Sequence, residues 1–188
     1  GPVFIASDEQ LEVVQAIDKL SQQVKGVVLL TADRGRGKSV ALGLAVNALL
    51  AKAPMKILVV ASLRSQVENL FSAIDHLSAL NKIKFVAVDQ LIIDAAASSA
   101  DKPLCDLLII DEAAAIPLPV LYQLADAAPR LVFSSTLQGY EGSGRGFSLR
   151  FKQYLLAQDP LLQVLTLKQP MRWASNDPLE AFLNELLM

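Results

Sequence analysis

The segment of residues 26–39, GVVLLTADRGRGKS, constrains the fold more than any other part of this chain. It begins as an apolar run typical of a buried strand and ends in a turn rich in glycine and arginine. The run that follows, ALGLAVNALLAK, has the spacing of a helix. A strand, a glycine-rich turn and a helix in this order are the setting of a phosphate-binding loop. The sequence therefore predicts a strand–helix unit with a phosphate site at its turn.

The turn fits the residue pattern of such a loop, which is a small residue, four free positions and then Gly-Lys-Ser or Gly-Lys-Thr. Alanine takes the first position, where glycine is commoner. We expect the backbone amides to surround a phosphate, Lys38 to reach the outer phosphates and the Ser39 hydroxyl to ligate magnesium. A plain connecting turn is the alternative. The predicted nucleotide contacts of this segment are Ala32, Asp33, Arg34, Gly35, Arg36, Gly37, Lys38, Ser39 and Val40.

Composition supports a large core, because 53% of the 188 residues are hydrophobic. The apolar runs VVLL, ILVVA, FVAV, LLIID and LVFSS are short, and the segments between them have helical spacing. This alternation predicts a three-layer αβα fold with a mostly parallel sheet and helices on both faces. We predict one domain over residues 3–188, with residues 1–2 a remnant of an expression tag. No run is long enough to span a bilayer, so no membrane partner is expected.

Charge and cysteine content restrict the partners and the compartment. With a net charge of −2, the chain lacks the general basic surface of a protein that binds nucleic acid unaided. This net charge still allows local basic patches. The single cysteine, Cys105, forms no internal disulfide, and no signal-peptide pattern is visible. Both features predict the cytoplasm.

Several local patterns predict secondary structure outside the loop. We expect a helix over residues 7–24 capped by Ser7 or Asp8, a strand over 84–88 and a surface loop over 95–103. The glycines of segment 137–147 are expected to permit tight turns or the close approach of a ligand, and 168–178 is expected to form a turn between a strand and a final helix. Further helices are predicted after Ser62, over residues 67–80, and after Asp177-Pro178.

The run LLIIDEAAAIP is typical of the acidic partner of a phosphate loop, because a buried strand ends there in two carboxylates. Asp111 is predicted to lie on the magnesium side beside Ser39, since a divalent ion bridging phosphates keeps several waters. Glu112 is then placed to act as general base on the attacking water. A helix cap after a strand is the structural alternative.

Polar and basic residues downstream offer further candidates. The next strand is predicted to end in hydroxyl and amide side chains, those of Ser134, Ser135, Thr136 and Gln138. We expect them to sense the terminal phosphate or to orient water. An ordinary turn at the end of a strand is the alternative. Arg145, among glycines, is expected to neutralise charge during transfer, and Arg172 is a second candidate. The predicted catalytic residues are thus Lys38, Glu112, Gln138 and Arg145. His76 is interpreted as a surface or packing residue instead of a metal ligand. Cys105 is interpreted as a core or inert residue, and Trp173 as a packing residue, with stacking on a base as its alternative.

Four segments together, TADRGRGKS, DEAAAIPLP, STLQGYEGSGRGF and LKQPMRW, resemble the ATPase module of the tRNA(Met) cytidine acetyltransferase family. The likeness spans nearly the whole chain, and GYEGSGRGF followed by QPMRW is its most specific part. It implies a RecA-like, RecD-related helicase fold that binds ATP or GTP with Mg²⁺. It also implies that Gln10 reads adenine and that Arg145 contacts nucleotide.

In that family acetyl-CoA acetylates the exocyclic amine of the wobble cytidine of elongator tRNA(Met), while nucleotide hydrolysis accompanies the modification. The resemblance places acetyl transfer and tRNA binding in neighbouring domains, and no segment here matches an acetyl-CoA fold. The chain alone is therefore expected to supply nucleotide hydrolysis only, with tRNA(Met) and acetyl-CoA engaged by the parent protein. The alternatives are a nucleotide-dependent interaction module without hydrolysis and a helicase or translocase lobe.

Overall fold

A six-stranded parallel sheet forms the centre of the molecule. The computed structural model of the chain describes residues 2–33, 37–61, 83–99, 101–137, 142–168 and 172–175. The sheet strands, in chain order, are β2 (Gly26–Asp33), β3 (Ile57–Ala61), β4 (Ile83–Phe85), β5 (Leu107–Asp111), β6 (Arg130–Leu137) and β7 (Gln163–Leu167). They lie in the order β4-β3-β5-β6-β2-β7, and each neighbouring pair is parallel. All six carboxyl ends therefore meet at one edge, where ligands of such sheets bind.

The pairing register brings the conspicuous segments together at that edge. Ala32, the first position of the phosphate loop, lies opposite Thr136 of β6. Asp111, the last residue of β5, lies opposite Ala61 of β3. Because β6 pairs with both β2 and β5, it stands between the phosphate loop and the acidic pair.

Five α-helices pack around the sheet within the described residues. They are α1 (Asp8–Ser21), α2 (Lys38–Lys52), α3 (Val88–Ala96), α4 (Leu118–Leu124) and α5 (Gly142–Gln158), and a 3₁₀ turn covers Ala113–Ala115. The predicted cap of α1 is confirmed, because the Ser7 hydroxyl accepts the amide of Gln10 and the Gln10 side chain accepts the amide of Ser7. The helix ends at Ser21, three residues before the predicted end at residue 24.

The helices cover both faces of the sheet, as predicted. Along β2, Val28 and Leu30 pack on the face covered by α1 and α2, whereas Val27 and Leu29 pack on the opposite face. Successive strand side chains alternate between faces, so both must be covered to keep apolar surface from water. Burying each such side chain contributes about 1.5–3 kcal/mol. The helix residues that close the second face are Leu91 of α3, Leu121 and Leu124 of α4, and Phe151 and Leu155 of α5.

The prediction of a strand over residues 84–88 is wrong at its carboxyl end. Strand β4 ends at Phe85, and Val88 begins α3. The same helix takes in residues 95 and 96, which were expected in a loop. Strand β4 pairs on one side of β3 and β5 pairs on the other, both in parallel. A parallel connection needs a crossover, and α3 supplies it. Short apolar runs such as FVAV suit either a strand or a helix, so periodicity alone misassigned this one.

The glycine-rich segment also differs from expectation. Helix α5 begins at Gly142, so residues 142–147 continue into the helix instead of forming tight turns. Arg145 therefore lies in the first turn of a helix. Glycine is disfavoured in helix interiors, and this preference led to the turn prediction.

A second, two-stranded sheet pairs β1 (Pro2–Ile5) antiparallel with β8 (Arg172–Ser175). The turn predicted over 168–178 is thus wrong at Arg172–Ser175, which form a strand. The register joins Pro2 to Ser175 and Ile5 to Arg172, so the strand depends on a partner far away in the chain. No local pattern reports such a pairing.

The helices predicted after Ser62 and after Asp177-Pro178 lie outside the described residues, as does His76. Cys105 is buried, at 3% exposure, which confirms its assignment to the core. Within the described part of the chain, no helix is both long enough and apolar enough to cross a membrane.

Candidate nucleotide-binding site

A buried lysine lies between two carboxylates at the carboxyl edge of the sheet. Lys38 is the first residue of α2 and is 7% exposed. Its Nζ lies 2.5 Å from Asp111 Oδ1 and 2.8 Å from Glu112 Oε1. One positive charge thus balances one of two negative charges, and the three side chains carry a net charge of −1 in a poorly solvated place. Such a cluster attracts a further cation.

The two oxygens of Asp111 have different surroundings. Oδ1 accepts three hydrogen bonds, from Lys38 Nζ, from Ser134 Oγ at 2.5 Å and from the Glu112 amide at 3.0 Å. Oδ2 faces the Ser39 hydroxyl at 3.5 Å. The carboxylate is therefore fixed through Oδ1, and Oδ2 is turned towards the serine of the phosphate loop.

Glu112 reaches the same lysine because its backbone is left-handed, with φ 53°. Successive residues of a strand point to opposite faces, so an extended backbone here would turn Glu112 away from Asp111. Its carboxylate accepts hydrogen bonds from Thr136 Oγ1 at 2.5 Å and from the Thr136 amide at 3.4 Å. Burial raises the pKa of Glu112, but hydrogen bonds from Lys38 and Thr136 and the charge of Lys38 outweigh it, and the pKa is lowered from 4.5. Glu112 is thus held ionised.

Glycine sets the direction in which Lys38 leaves the loop. Gly37 precedes α2 with φ 78° and ψ 29°, a left-handed conformation in which glycine carries no steric penalty. Its carbonyl accepts the amide of Ala41 at 2.9 Å, the first bond of the helix, and also the side-chain amide of Gln10 at 3.1 Å. The end of the phosphate loop is therefore fixed from α1 as well as from α2.

The donor set fits magnesium held jointly with phosphate. Ser39 Oγ and Asp111 Oδ2 are two neighbouring oxygens, and Mg²⁺ prefers one or two protein oxygens together with waters and phosphates. The described residues contain no group of three or more His, Cys, Asp or Glu side chains arranged to hold an ion. A cage built from protein ligands alone is therefore absent from that part of the chain.

The structure brings four of the predicted site residues together, namely Lys38, Ser39, Asp111 and Glu112. Ala32 is buried in β2, Asp33 is exposed at its end, and Val40 lies in the first turn of α2. Arg172, which was predicted to lie in a turn, lies on strand β8. The predicted residues outside the described part of the chain are Arg34, Gly35, Arg36 and Gln138.

Ser134 and Thr136 contact the two carboxylates, a role that sequence reasoning did not assign. They were candidates for sensing phosphate, but Ser134 binds Asp111 and Thr136 binds Glu112. They are two positions apart on β6, and alternation therefore puts them on one face. The sequence signal for these contacts was the pair of hydroxyl residues two positions apart at the end of β6. Interpreting it required the knowledge that β6 lies beside β5.

Comparison with known proteins identifies the family of this chain. The family model for the helicase domain of RNA cytidine acetyltransferase NAT10/TcmA matches residues 29–188. The chain is 39% identical to the tRNA(Met) cytidine acetyltransferase TmcA of Vibrio cholerae, covering 97% of this chain and 26% of that protein. It is 35% identical to the TmcA of Methanopyrus kandleri, covering 97% of this chain and 23% of that protein.

The chain thus spans about a quarter of the length of these curated relatives. Among solved structures, the Pif1 helicase from Candida albicans has a similar fold, with a TM-score of 0.52 over 89% of this chain and 41% of that one. At 17% identity this likeness concerns the fold alone. The match to the family model and the identity to its curated members together show that the chain belongs to the NAT10/TcmA family of RNA cytidine acetyltransferases, in the region of its helicase domain.

Proposed function

We propose that this chain binds and hydrolyses ATP or GTP with Mg²⁺, as the energy-using module of an enzyme that acetylates tRNA(Met). The observation that carries the proposal is the position of Lys38, the first residue of α2, between Asp111 and Glu112 at the carboxyl edge of the sheet. A purely structural turn has no need of a buried lysine held by two carboxylates. A phosphate-transfer site needs all three, because its chemistry depends on placing charge around the phosphates.

In the proposed reaction Lys38 leaves the carboxylates and pairs with the outer phosphate oxygens. Ser39 and Asp111 Oδ2 hold the magnesium side, and the ion, when bound, neutralises charge on the phosphates. Ser134 and the Glu112 amide still donate to Asp111 Oδ1 after Lys38 has moved. These two hydrogen bonds keep Oδ2 directed towards the magnesium side.

Glu112 is the proposed general base. It accepts a proton from the attacking water as the water oxygen bonds to the terminal phosphorus and the bond from that phosphorus to the bridging oxygen breaks. Departure of Lys38 removes a hydrogen bond and a charge that lower the pKa of Glu112. Phosphate binding therefore makes this carboxylate more basic when a base is needed.

Gln138 and Arg145 complete the proposed site from the segment after β6. Both follow the strand that carries Ser134 and Thr136, and Arg145 lies in the first turn of α5. We place Gln138 at the attacking water and Arg145 at the charge that develops on the leaving phosphate.

The role of the whole protein extends beyond this chain. Its curated relatives are named tRNA(Met) cytidine acetyltransferases, and the chain covers only about a quarter of their length. We propose that acetyl-CoA and tRNA(Met) bind elsewhere in the full-length protein, that N4-acetylcytidine forms there at the wobble position in the cytoplasm, and that hydrolysis in this module drives the modification.

The decisive experiment compares Glu112→Gln with wild type in nucleotide binding and in turnover. The amide keeps the size of the side chain but accepts no proton, so affinity for ATP should stay within about three-fold while hydrolysis falls at least about 100-fold. Glu12→Gln, an exposed change on α1, is the matched control and should retain full turnover. Binding without hydrolysis by the wild-type full-length protein, with tRNA(Met) present, would favour the interaction module instead.

A further inference from the structure

The side chain of Gln10 connects the start of α1 to the end of the phosphate loop. Gln10 is only 1% exposed, although it is polar. Its Oε1 accepts the amide of Ser7 at 2.9 Å, and its Nε2 donates to the Gly37 carbonyl at 3.1 Å. Both ends of the side-chain amide are thus used within the chain.

The bond to Gly37 has a consequence for Lys38. The peptide between Gly37 and Lys38 is planar and trans, so its carbonyl and its N–H point in opposite directions. Holding the carbonyl towards α1 turns the Lys38 amide away from α1. Amides at the first positions of a helix lack partners within the helix and are the donors that phosphate uses.

Gly37 particularly needs such a restraint. Its left-handed conformation is one of several that glycine adopts at little cost, and no side chain caps α2. The Gly37 carbonyl already accepts the amide of Ala41 at 2.9 Å, and the contact from Gln10 at 3.1 Å adds a second restraint on the orientation of this peptide, from α1.

We propose that Gln10 is a positioning residue for the triphosphate, acting through the Gly37–Lys38 peptide regardless of the base. The inference rests on the proposed function, because it assumes that the loop binds phosphates. It differs from base recognition, for which the second N–H of Nε2 or the second lone pair of Oε1 would have to face adenine, whereas Gln10 is only 1% exposed.

Two substitutions separate the contacts of Gln10. Gln10→Glu keeps an oxygen that accepts the Ser7 amide, and so keeps the cap of α1, but loses the donor to Gly37. Gln10→Met removes both contacts without adding a negative charge. Ser7→Ala removes the hydroxyl of the cap and leaves the donor to Gly37 in place, so it controls for weakening of α1.

The test measures binding of ATP, GTP and inorganic triphosphate, each with Mg²⁺, to the full-length protein. Both Gln10 variants should weaken all three ligands by a similar factor of about 3- to 10-fold, the effect of one lost hydrogen bond. KM should rise for both nucleotides with kcat nearly unchanged, because the restraint acts equally on ground state and transition state. Ser7→Ala should lower thermal stability but leave the affinities unchanged.

Loss of affinity for ATP alone, with GTP and triphosphate unaffected, would overturn the proposal in favour of adenine recognition. An equal loss in Ser7→Ala would overturn it in favour of a general effect of α1. Failure of the wild-type protein to bind any of the three ligands would instead refute the proposed function itself.

Discussion

Lys38 and Asp111 are 73 positions apart in the chain, yet their side chains meet at 2.5 Å in the buried part of the site. Glu112 adds a second carboxylate at 2.8 Å from the same nitrogen. Before any phosphate enters, the lysine that is expected to bind it therefore already has anionic partners. In the proposed function a triphosphate replaces these partners with its own oxygens, and the contact with Lys38 contributes to the lowered pKa of Glu112.

Replacing Lys38 with alanine should abolish nucleotide hydrolysis, with a loss of at least about 100-fold, because the outer phosphates lose their cation. It should also lower the free energy of unfolding by about 3 kcal/mol, since two carboxylates lose their buried partner. Lys52→Ala is the matched control on the same helix. Lys52 is 60% exposed and pairs with Asp18, so its removal should cost less than about 1 kcal/mol and leave hydrolysis unchanged. Phosphate release and chemical denaturation measure the two effects, and unchanged turnover in Lys38→Ala would contradict the site.

Replacing Thr136 with valine removes the hydroxyl that donates to Glu112. We expect kcat to fall about 10-fold with nucleotide affinity unchanged, because a general base loses its orientation. Since that hydroxyl also lowers the pKa of Glu112, the acid limb of the kcat/KM profile should move to higher pH. Thr136→Ser restores the hydroxyl and should restore both quantities. A valine variant with the wild-type pH profile would show that Thr136 does not act on Glu112.

The lowered pKa of Glu112 predicts how its contribution to stability depends on pH. A carboxyl whose folded pKa is lowered stabilises the fold above its ordinary pKa of 4.5, and this contribution is lost as the pH falls through the folded value. In thermal unfolding without nucleotide, the excess stability of wild type over Glu112→Gln should be constant near neutral pH and shrink below about pH 4.5. If the excess stability of wild type over Glu112→Gln grew on acidification, burial and not hydrogen bonding would dominate the pKa of Glu112.

Gly37→Ala tests the left-handed backbone at the start of α2. At φ 78° a Cβ is strained, and the substitution should destabilise the fold by about 1–2 kcal/mol. It should also weaken nucleotide binding, because relief of the strain turns the Gly37–Lys38 peptide. Gly37→Asn is the matched comparison, since asparagine tolerates this conformation better than alanine. Equal effects of the two substitutions would argue that loss of space, and not backbone conformation, is responsible.

Cys105 offers a test of the core. Burial raises the pKa of its thiol to about 11, and the residue is 3% exposed. Because the thiolate is the reactive form, the native protein should resist a thiol reagent near neutral pH and react only as fast as it unfolds. Rapid stoichiometric labelling of the folded chain would contradict this packing.

The strand–turn–helix unit of residues 26–52 and the acidic pair at the end of β5 were predictable because their signals are local. Gly37, Lys38 and Ser39 are adjacent, and Asp111 and Glu112 directly follow an apolar run. The parallel sheet then brings both segments to one edge without further information, since all its carboxyl ends lie together.

What was missed depends on contacts between distant segments. The strand Arg172–Ser175 exists through pairing with Pro2–Ile5, and Val88 is helical because the chain must cross from β4 to β5. The bonds from Ser134 and Thr136 to the carboxylates depend on β6 lying beside β5. Strand order is a property of the whole fold, so patterns read along the chain did not contain it.

The left-handed turn at Glu112 limits how this site can be transferred to another protein. A designer who copies the dipeptide Asp-Glu to the end of an ordinary strand would obtain carboxylates facing away from each other. The backbone at Glu112, with φ 53°, would have to be copied as well, together with the neighbouring strand whose threonine holds the second carboxylate. β-branched residues are the least compatible with that conformation, so valine or isoleucine at position 112 would strain the turn before any question of chemistry arises. The unit that can be grafted is a bent strand end with its neighbour.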